Sequence, residues 1–494
     1  MSKFNVTVNN KTINRSGYPA YQMEEKERFV TAVLTTMFGE PKFYGSTDDE
    51  IVSMAVKMAA SDPAFLSRLA CYARNEGNMR TISHVLACVV AREAHEFTRQ
   101  TIRNIIVRPD DITEIMACYK TLYGKPFPNA MKREIASAIQ KFDEYQIAKY
   151  NGGNKAIKFR DVLRITHPVP KDEVQEELFH KILEDTLEIP YTWETELSQK
   201  GNTKEVWDEL IHSGKVGYMA LLRNLRNIVQ CGADLAPVLV TLSDPVQVRK
   251  SRQLPFRFYS AYHTLSQEKL MTAEIHRALE AAITSSVSNM EKISGRTLIA
   301  VDVSGSMSSR LSRRSEVRCC DIAALLGAMA SRICEDATVC YFDCAGKYST
   351  LSNGAGYRIA HYGKFDSILA ICEKSAFAGG GTDLALPMKF ALTEDQARNV
   401  KPFDRVIYFS DNECNRSSRG IVATVQGMVD SYRRNYNPEF WVHAVDLQGY
   451  GTQQFCGKNF NVIAGWSEAV LPFINLAERG MGSLVEKIES YEIV

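Results

Sequence analysis

The chain has 494 residues, of which 45% are hydrophobic and 24% charged, so it can fold around full cores and is long enough for two to four domains of about 100 to 200 residues each. This composition excludes a disordered or collagen-like chain. The 59 basic and 58 acidic side chains leave a formal net charge of +1, which predicts neither a nucleic-acid binder nor an enzyme for acidic substrates, so charged surfaces must be sought locally.

The first residues, MSKFNVTVNNKTINRSGYPAY, contain no apolar segment of the kind that a secretion signal needs. No run approaches about 18 consecutive apolar residues, so no membrane-spanning helix is predicted. The 12 cysteines are scattered without a CxxC pair, which argues against a disulfide framework and against a zinc site. We therefore predict a cytoplasmic protein with reduced thiols and no membrane partner.

From about residue 24 to residue 290, apolar residues recur at helical spacing, as at Phe29 and Val33 and again at Leu222 and Leu225. Gly, Pro and Asn residues separate successive segments, and strand-like runs are scarce. This pattern predicts antiparallel helix pairs stacked as an α-solenoid of degenerate HEAT-like repeats. We assign this helical domain to residues 1–290.

After Gly295 the pattern changes to alternating strands and helices. Apolar strands are predicted at 297–303, 338–343, 405–411 and 440–446, and helices at 321–334, 368–373, 384–392 and 421–432, with two more at the end. Continuous apolar strands separated by helices predict a parallel sheet covered on both faces, a doubly wound α/β domain over residues 291–494. Ligands of such folds bind outside the carboxyl ends of the strands.

Carboxylate and hydroxyl side chains are concentrated in three loops of this second half. The first strand ends in a D-x-S-x-S arrangement formed by Asp302, Ser304 and Ser306, and the later segments GGGTD and SDNE contain Thr382 and Asp411. If the loops lie at one edge of the sheet, their hard oxygen atoms suit Mg²⁺, or Mn²⁺, and not zinc. The few carboxylates leave a coordination position open for water or an acidic ligand. The alternative is a phosphate loop or a plain turn, although GGGT lacks the lysine of a Walker loop.

These residues resemble the metal-ion-dependent adhesion site of von Willebrand factor A domains. The resemblance implies that Asp302, Ser304, Ser306, Thr382 and Asp411 are direct or water-mediated metal ligands. It also implies a binding module, since such domains usually hold an acidic group of a partner on the metal and catalyse nothing.

The helical half contains locally basic segments. Between Arg99 and Arg164 there are 13 Lys or Arg and 7 Asp or Glu residues. A second basic cluster comprises Arg223, Arg226, Arg249, Lys250, Arg252 and Arg257. Basic clusters with aromatic neighbours suit phosphate contacts and base stacking. Solvated helix faces are the alternative, and composition alone favours them.

Three segments of the helical half resemble the TROVE module of the Ro ribonucleoprotein autoantigens. They are FDEYQIAKYNGGNKAIKFRDVLRITHPVP (142–170), GYMALLRNLRNI (217–228) and VRKSRQLPFRF (248–258). TROVE followed by a von Willebrand A domain is the architecture of that family, and the resemblance extends over nearly the entire chain. The chain looks like a member of bacterial or phage type.

The resemblance implies a monomeric ring of HEAT-like repeats closed by the A domain. It implies a noncatalytic protein that binds small noncoding Y RNAs on its outer basic surface. Single-stranded 3′ ends of misfolded noncoding RNAs would enter the central hole. It further implies a role in RNA quality control and, from bacterial relatives, a function as an adaptor for an exoribonuclease such as polynucleotide phosphorylase.

By the same resemblance, His167 at the end of the LRITHP motif matches a position used for RNA contact. The basic residues that precede it on the same segment are Lys149, Lys155, Lys158, Arg160 and Arg164. The sequence departs from the family pattern at residues 151–156. For His167 the alternative is a helix C-terminal cap before Pro168, and for Arg223 and Arg226 it is a contact with buried carbonyls or carboxylates.

Three classes of function compete for this sequence. The first is an RNA-binding scaffold whose affinity falls steeply with salt. The second is a metal-dependent protein-adhesion scaffold that ignores RNA. The third, a metal-dependent hydrolase or nuclease, is disfavoured because the sequence offers one plausible metal site and no His or Glu clearly poised as a base.

Overall fold

The computed structural model describes residues 11–14, 16–35, 48–152, 155–251, 253, 255–288, 290–310, 316–351, 354–375, 377–398, 400–415, 425–465, 470–479 and 484–493. The chain divides into two compact units. The helical unit comprises residues 47–220, 231–234 and 486–494, and the sheet unit comprises residues 1–46, 221–230 and 235–485.

Two short strands and a long series of helices form the first part of the chain. They are β1 (Lys11–Ile13), β2 (Pro19–Gln22), α1 (Glu25–Leu34), α2 (Asp48–Ser61), α3 (Pro63–Asn75), α4 (Arg80–Glu93), α5 (Thr98–Ile105), α6 (Pro109–Tyr123), α7 (Asn129–Ile139), α8 (Glu144–Asn151), α9 (Phe159–Thr166), α10 (Glu173–Glu184), α11 (Trp193–Lys200), α12 (Lys204–His212), α13 (Tyr218–Gln230), α14 (Ala236–Ser243), α15 (Pro245–Ser251), α16 (Pro255–Gln267) and α17 (Ala273–Ser288).

Strands and helices alternate in the second part of the chain. They are β3 (Ile293–Asp302), α18 (Cys319–Ile333), β4 (Cys334–Phe342), β5 (Tyr357–Ala360), α19 (Ile368–Ser375), α20 (Leu386–Arg398), β6 (Arg405–Ser410), α21 (Val425–Asn435), β7 (Trp441–Asp446), β8 (Thr452–Gln453), β9 (Phe460–Ala464), α22 (Val470–Glu478) and α23 (Leu484–Glu489). Residues 421–424 of the predicted helix 421–432 lie outside the described residues.

The helices α2 to α9 of the helical unit form two layers. Helices α2, α4, α6 and α8 pack on one another in order, and so do α3, α5, α7 and α9, while consecutive helices such as α3 and α4 pack across the layers. Each helix pair therefore contacts the pairs before and after it, as in an α-solenoid. The prediction of stacked helix pairs is confirmed for this part of the chain.

A buried cluster of charges joins helices α3, α4 and α6. The Asp111 carboxylate, which is completely buried, accepts hydrogen bonds from Arg74 Nη2 (2.9 Å), Arg80 Nε (2.6 Å), His84 Nε2 (3.1 Å) and the backbone N–H groups of Val107 (3.0 Å) and Arg108 (2.8 Å). Burial alone would raise the pKa of Asp111. The hydrogen bond with His84 and the charges of Arg74 and Arg80 outweigh burial and hold this pKa well below its usual range.

The main sheet of the sheet unit has the strand order β5-β4-β3-β6-β7-β9 in the part of the chain that the structure describes. Strands β4, β3, β6, β7 and β9 run parallel, and β5 pairs antiparallel with β4 at one edge. Helices α18 and α20 pack on β3 and β4, and α22 packs on β7 and β9. The predicted fold class, a helical region followed by a doubly wound α/β domain, is confirmed.

The structure also contains strands that the sequence analysis does not predict. Strands β5 and β9 are short, and β1, β2 and β8 form a separate small sheet in the order β1-β2-β8. Among the described residues, no helix is both long and apolar enough to cross a membrane. All twelve cysteines are free thiols.

Candidate functional site

Four neighbouring strands of the main sheet end in or just before an acidic side chain. Asp302 ends β3, Asp343 follows β4, Asp411 follows β6 and Asp446 ends β7. These strands are parallel, so their carboxyl ends lie at one edge of the sheet. This edge is the one where the sequence predicts a metal site.

The D-x-S-x-S loop is folded tightly around Asp302. The side chains of Asp302, Ser304 and Ser306 are all buried. Asp302 Oδ1 accepts a hydrogen bond from the Ser304 N–H at 2.8 Å, and Asp302 Oδ2 accepts one from Ser410 Oγ at 2.6 Å. The hydroxyl oxygens of Ser304 and Ser306 are 3.3 Å apart. The structure thus brings these three predicted ligands together.

Thr382 reaches this loop on a glycine-rich segment. The Gly305 N–H donates to the Gly380 carbonyl at 3.2 Å, and the Gly379 N–H donates to the Val303 carbonyl at 2.8 Å. Gly380 has a φ of +74°, and a Cβ there would lie 2.7 Å from the Tyr348 carbonyl oxygen, so only glycine fits.

The loop after β6 holds Thr382 in place. The Thr382 N–H donates to Asn415 Oδ1 at 2.8 Å, and the Asn415 N–H donates to the Thr382 carbonyl at 3.1 Å. Asp411 lies in the same loop and is buried. The two predicted ligands that lie farthest along the chain are therefore linked through one short segment, residues 411–415.

Burying the charged carboxylates at this edge costs free energy unless a cation neutralises them. Burial raises the pKa of Asp302 to about 6, although hydrogen bonds from Ser304 and Ser410 oppose the change. Burial and the nearby Asp302 charge raise the pKa of Asp411 well above its usual range. Asp411 Oδ2 is buried and has no hydrogen-bond partner among the described residues. A buried unpaired oxygen of this kind is explained by a bound ion or water.

The donor set fits a hard divalent cation. Two carboxylates and three hydroxyls supply oxygen atoms, which Mg²⁺ and Mn²⁺ prefer. Among the described residues, no group of three or more His, Cys, Asp or Glu side chains could hold a metal ion. The candidate centre is not built from such a group, because serine and threonine hydroxyls supply three of its five donor side chains.

Two residues that the sequence analysis does not assign as ligands lie at the same edge. Asp343 accepts hydrogen bonds from Thr350 N (2.5 Å), Thr350 Oγ1 (2.9 Å), Ser349 Oγ (2.9 Å) and Cys344 N (2.6 Å), so its carboxylate shapes the loop after β4. The Asn412 side chain is buried, and neither its oxygen nor its nitrogen has a partner among the described residues. Its position beside Asp411 in the SDNE motif is the sequence signal that points to it.

The basic segment 149–167 lies on α8, on α9 and between them. Lys149 is exposed, and its Nζ lies 5.8 Å from the centroid of the Tyr150 ring. Lys155 is partly buried, and its Nζ donates to the Tyr150 carbonyl at 2.5 Å. Lys158 precedes α9, and its backbone N–H donates to Asp161 Oδ2 at 2.9 Å. Lys155 thus caps the end of α8 rather than extending into solvent.

Helix α9 has an apolar face and a basic face. Phe159, Val162 and Leu163 are buried in the core of the helical unit. Arg160, Arg164 and His167 follow one another at i, i+4 and i+7, which places them on one face. Arg164 and His167 are exposed, and Arg160 is partly buried. Among the described residues, no carboxylate forms an ion pair with either arginine.

His167 also has the backbone role that the alternative interpretation assigns to it. It is the C-cap of α9, with a left-handed φ of 48°, and its N–H donates to the Leu163 carbonyl at 2.9 Å. The imidazole itself is exposed. Capping by the backbone and ligand contact by the side chain are therefore compatible.

The second basic cluster is mostly exposed. Arg223, Arg249, Lys250 and Arg257 lie at the surface of the sheet unit, and Arg252 lies outside the described residues. Arg226 Nη1 pairs with Glu268 Oε1 at 3.2 Å, with both side chains partly open to solvent. Arg226 therefore contacts a carboxylate, as the alternative predicts, but not a buried one.

Comparisons with known proteins point to one family. The family model for the TROVE domain matches residues 23–186 and 184–304, and that for the Ro60 vWA domain matches residues 296–439. The crystal structure of the Deinococcus radiodurans RO (RSR) protein aligns with a TM-score of 0.63 at 17% identity, covering 93% of this chain and 100% of that chain. This likeness shows a shared fold.

Curated relatives match parts of the chain. Telomerase protein component 1 of Rattus norvegicus is 24% identical over 335 residues, which is 49% of this chain and 13% of that protein. RNA-binding protein RO60 of Deinococcus radiodurans is 25% identical over 213 residues, which is 40% of this chain and 37% of that protein. The chain thus matches well under two thirds of the length of either relative.

Fold and site together define a protein that joins a helical-repeat region to a von Willebrand A-type domain. The TROVE match extends over more than half of the chain. The chain belongs to the TROVE domain family and contains a Ro60-type vWA domain after its helical region.

Proposed function

We propose that this protein is a noncatalytic RNA-binding protein of the Ro type. The observation that carries the proposal is the basic face of α9, where Arg160, Arg164 and His167 are aligned opposite a buried apolar face. Two guanidinium groups that form no ion pair with a carboxylate among the described residues, and an exposed imidazole at the end of the same helix, suit phosphate oxygens and unstacked bases. RNA-binding protein RO60 of Deinococcus radiodurans, which is similar over 40% of this chain, supports the same function.

We further propose the RNA classes that the family resemblance implies. These are small noncoding Y-type RNAs and the single-stranded 3′ ends of misfolded noncoding RNAs. The protein would act in cytoplasmic RNA quality control as a monomer, and as an adaptor for an exoribonuclease such as polynucleotide phosphorylase. Contacts with phosphates rather than base edges would let one surface accept many sequences.

The metal centre is proposed to hold Mg²⁺ through Asp302, Ser304, Ser306, Thr382 and Asp411, with Mn²⁺ as a substitute. A bound cation would supply an open coordination position for an acidic group of a partner. The residues themselves hold the site in shape, since Ser410 and the Ser304 N–H orient the Asp302 carboxylate. Asp411 Oδ2, for which the described part of the chain offers no hydrogen-bond partner, also favours a second candidate function, a metal-dependent protein-adhesion scaffold without RNA.

The proposal is tested by identifying the RNA that the protein carries. The full chain is purified from its native host at low salt, treated with nuclease, and the protected RNA is sequenced. We expect enrichment of a small structured noncoding RNA and of fragments that end in single-stranded 3′ tails. Protein that carries no RNA above the level of an unrelated control protein would contradict RNA binding and favour the adhesion scaffold.

Replacing Asp411 with asparagine is expected to abolish stabilisation by Mg²⁺. In the unsubstituted protein, Mg²⁺ at 100 times its Kd should add about 2.7 kcal/mol to the free energy of unfolding. Asparagine has nearly the same shape but lacks the charge. It also removes the repulsion from Asp302, so the variant in EDTA should be at least as stable as the unsubstituted protein.

The measurement is the melting temperature of the sheet unit during an Mg²⁺ titration. The control is Asp336→Asn, because Asp336 is an exposed carboxylate near the opposite end of β4. A full Mg²⁺ response in Asp411→Asn would show that Asp411 is not a ligand.

A further inference from the structure

The N-terminal hairpin of β1 and β2 is joined to the region that carries the proposed metal centre. Strand β2 pairs antiparallel with β1 on one side and with β8 on the other, with Gln22 opposite Thr452. Strand β8 follows β7 by a short connection and lies outside the main sheet. The hairpin is thus fixed to the sheet unit through backbone pairing with β8.

Asn14, at the end of β1, connects the hairpin to the loop after β6. Its side chain is buried, and Nδ2 donates to the Cys414 carbonyl at 2.6 Å. Its Oδ1 accepts hydrogen bonds from the N–H groups of Ser16 (3.1 Å) and Tyr18 (2.9 Å). One carboxamide therefore shapes the hairpin turn with its oxygen and holds the 411–415 loop with its nitrogen.

A second side chain holds the same loop from β8. Thr452 Oγ1 donates to Glu413 Oε1 at 2.8 Å. Adjacent residues Glu413 and Cys414 are thus bonded to β8 and to the turn of the hairpin, respectively. Asn415, the next residue, is tied to Thr382 through the two hydrogen bonds described above.

The 411–415 loop needs such support. Asp302 and Asp411 are both buried carboxylates at the ends of neighbouring parallel strands, where like charges repel. Asn412 has a left-handed φ of 56°, a conformation that persists when its surroundings fix it. A loop under repulsion and in an uncommon backbone conformation would move away from the sheet edge unless other groups held it.

We propose that the N-terminal hairpin is a brace for the metal centre. Asn14 and Thr452 are positioning residues: they hold residues 411–415 so that the oxygens of Asp411 and Thr382 face the cation. Neither residue is a ligand itself. The inference rests on the proposed metal centre, and it gives the small sheet β1-β2-β8 a role in cation binding.

The test measures Mn²⁺ binding to the full chain by electron paramagnetic resonance of the free ion. The informative variant is Asn14→Ser, because a serine hydroxyl can still accept from the turn N–H groups but is too short to reach Cys414. Loss of one hydrogen bond should raise the Kd for Mn²⁺ about tenfold. Asn14→Ala should have the same effect, and Thr452→Val, which keeps the strand pairing, should raise the Kd about threefold.

The control is Ile13→Ala, an exposed position on β1 directly before Asn14, which should leave the Kd unchanged. The melting temperature in EDTA should be similar for Asn14→Ser and the unsubstituted protein, which separates positioning from general destabilisation. If Asn14→Ser does not fold, Thr452→Val provides the test.

Unchanged Mn²⁺ affinity in a folded Asn14→Ser variant, or in Thr452→Val if that variant alone folds, would overturn the brace and leave the metal centre intact. Absence of Mn²⁺ binding in the unsubstituted protein would instead overturn the metal centre, and the brace with it. The two failures are therefore distinguishable.

Discussion

Replacing Asp111 with alanine is expected to lower the free energy of unfolding of the helical unit by about 3 to 5 kcal/mol, the usual cost of removing one partner from a buried ion pair. Asp111 is completely buried, and its carboxylate on α6 accepts from five donors, three on helices α3 and α4 and two in the α5–α6 connection. Without it, the mostly buried Arg74 guanidinium loses its carboxylate partner. Hydrogen exchange of α3, α4 and α6 under native conditions measures this loss directly.

The control is Glu177→Ala, which breaks an exposed ion pair with Lys181 in the same unit. It should cost at most about 1 kcal/mol. Similar protection of α3, α4 and α6 in Asp111→Ala and in the control would show that the buried cluster contributes no more than a surface pair.

Lowering the pH should reduce the difference in unfolding free energy between the unsubstituted protein and Asp111→Ala. The pKa of Asp111 is lower in the folded chain than its usual value of about 3.9. A carboxyl of this kind contributes its full stability above the unfolded pKa and loses it as the pH falls toward the folded pKa. The difference in unfolding free energy should therefore be constant above about pH 5 and shrink below about pH 4. A constant difference down to pH 2 would contradict this origin.

The parts of the fold that follow from local patterns are predictable from the sequence. Strands β3, β6 and β7 are buried on both faces, so they appear as continuous apolar runs that end near a carboxylate. Strand β5 has no such signal, because it is a short edge strand with partly exposed side chains. Strands β1 and β2 are short and polar, and their pairing with β8 depends on residues far away in the chain.

The candidate site also has parts that follow from local sequence motifs and parts that depend on residues far apart in the chain. The ligands predicted from D-x-S-x-S, GGGTD and SDNE lie in three loops whose positions follow from the order of parallel strands. The contact between Asn14 and Cys414 joins residues 400 positions apart, and no periodicity or motif encodes it. The charge cluster around Asp111 is likewise not encoded by a local pattern, because its side-chain donors lie on helices α3 and α4 while the acceptor is on α6.

Replacing Arg160, Arg164 and His167 together with alanine is expected to weaken RNA binding about 100-fold at low salt. Hydrogen bonds to charged groups contribute about 1.5 to 3 kcal/mol each, and the two arginines would lose at least one apiece. Each lost contact with a single-stranded phosphate should also reduce the slope of log K against log salt by about 0.7. Fluorescence anisotropy with a 3′-tailed RNA hairpin, measured over a range of salt concentrations, gives both quantities.

The matched control is Lys200→Ala with Lys204→Ala, which removes the same number of full positive charges from exposed positions of the helical unit. Both lysines already pair with carboxylates, whereas no carboxylate pairs with Arg160 or Arg164 among the described residues. Loss of net charge alone would weaken binding equally in the two variants. Loss of phosphate contacts on the basic face of α9 would weaken RNA binding in the triple variant and leave the affinity of the control close to that of the unsubstituted protein. Equal RNA affinities in the two variants would therefore show that α9 is not part of the RNA site.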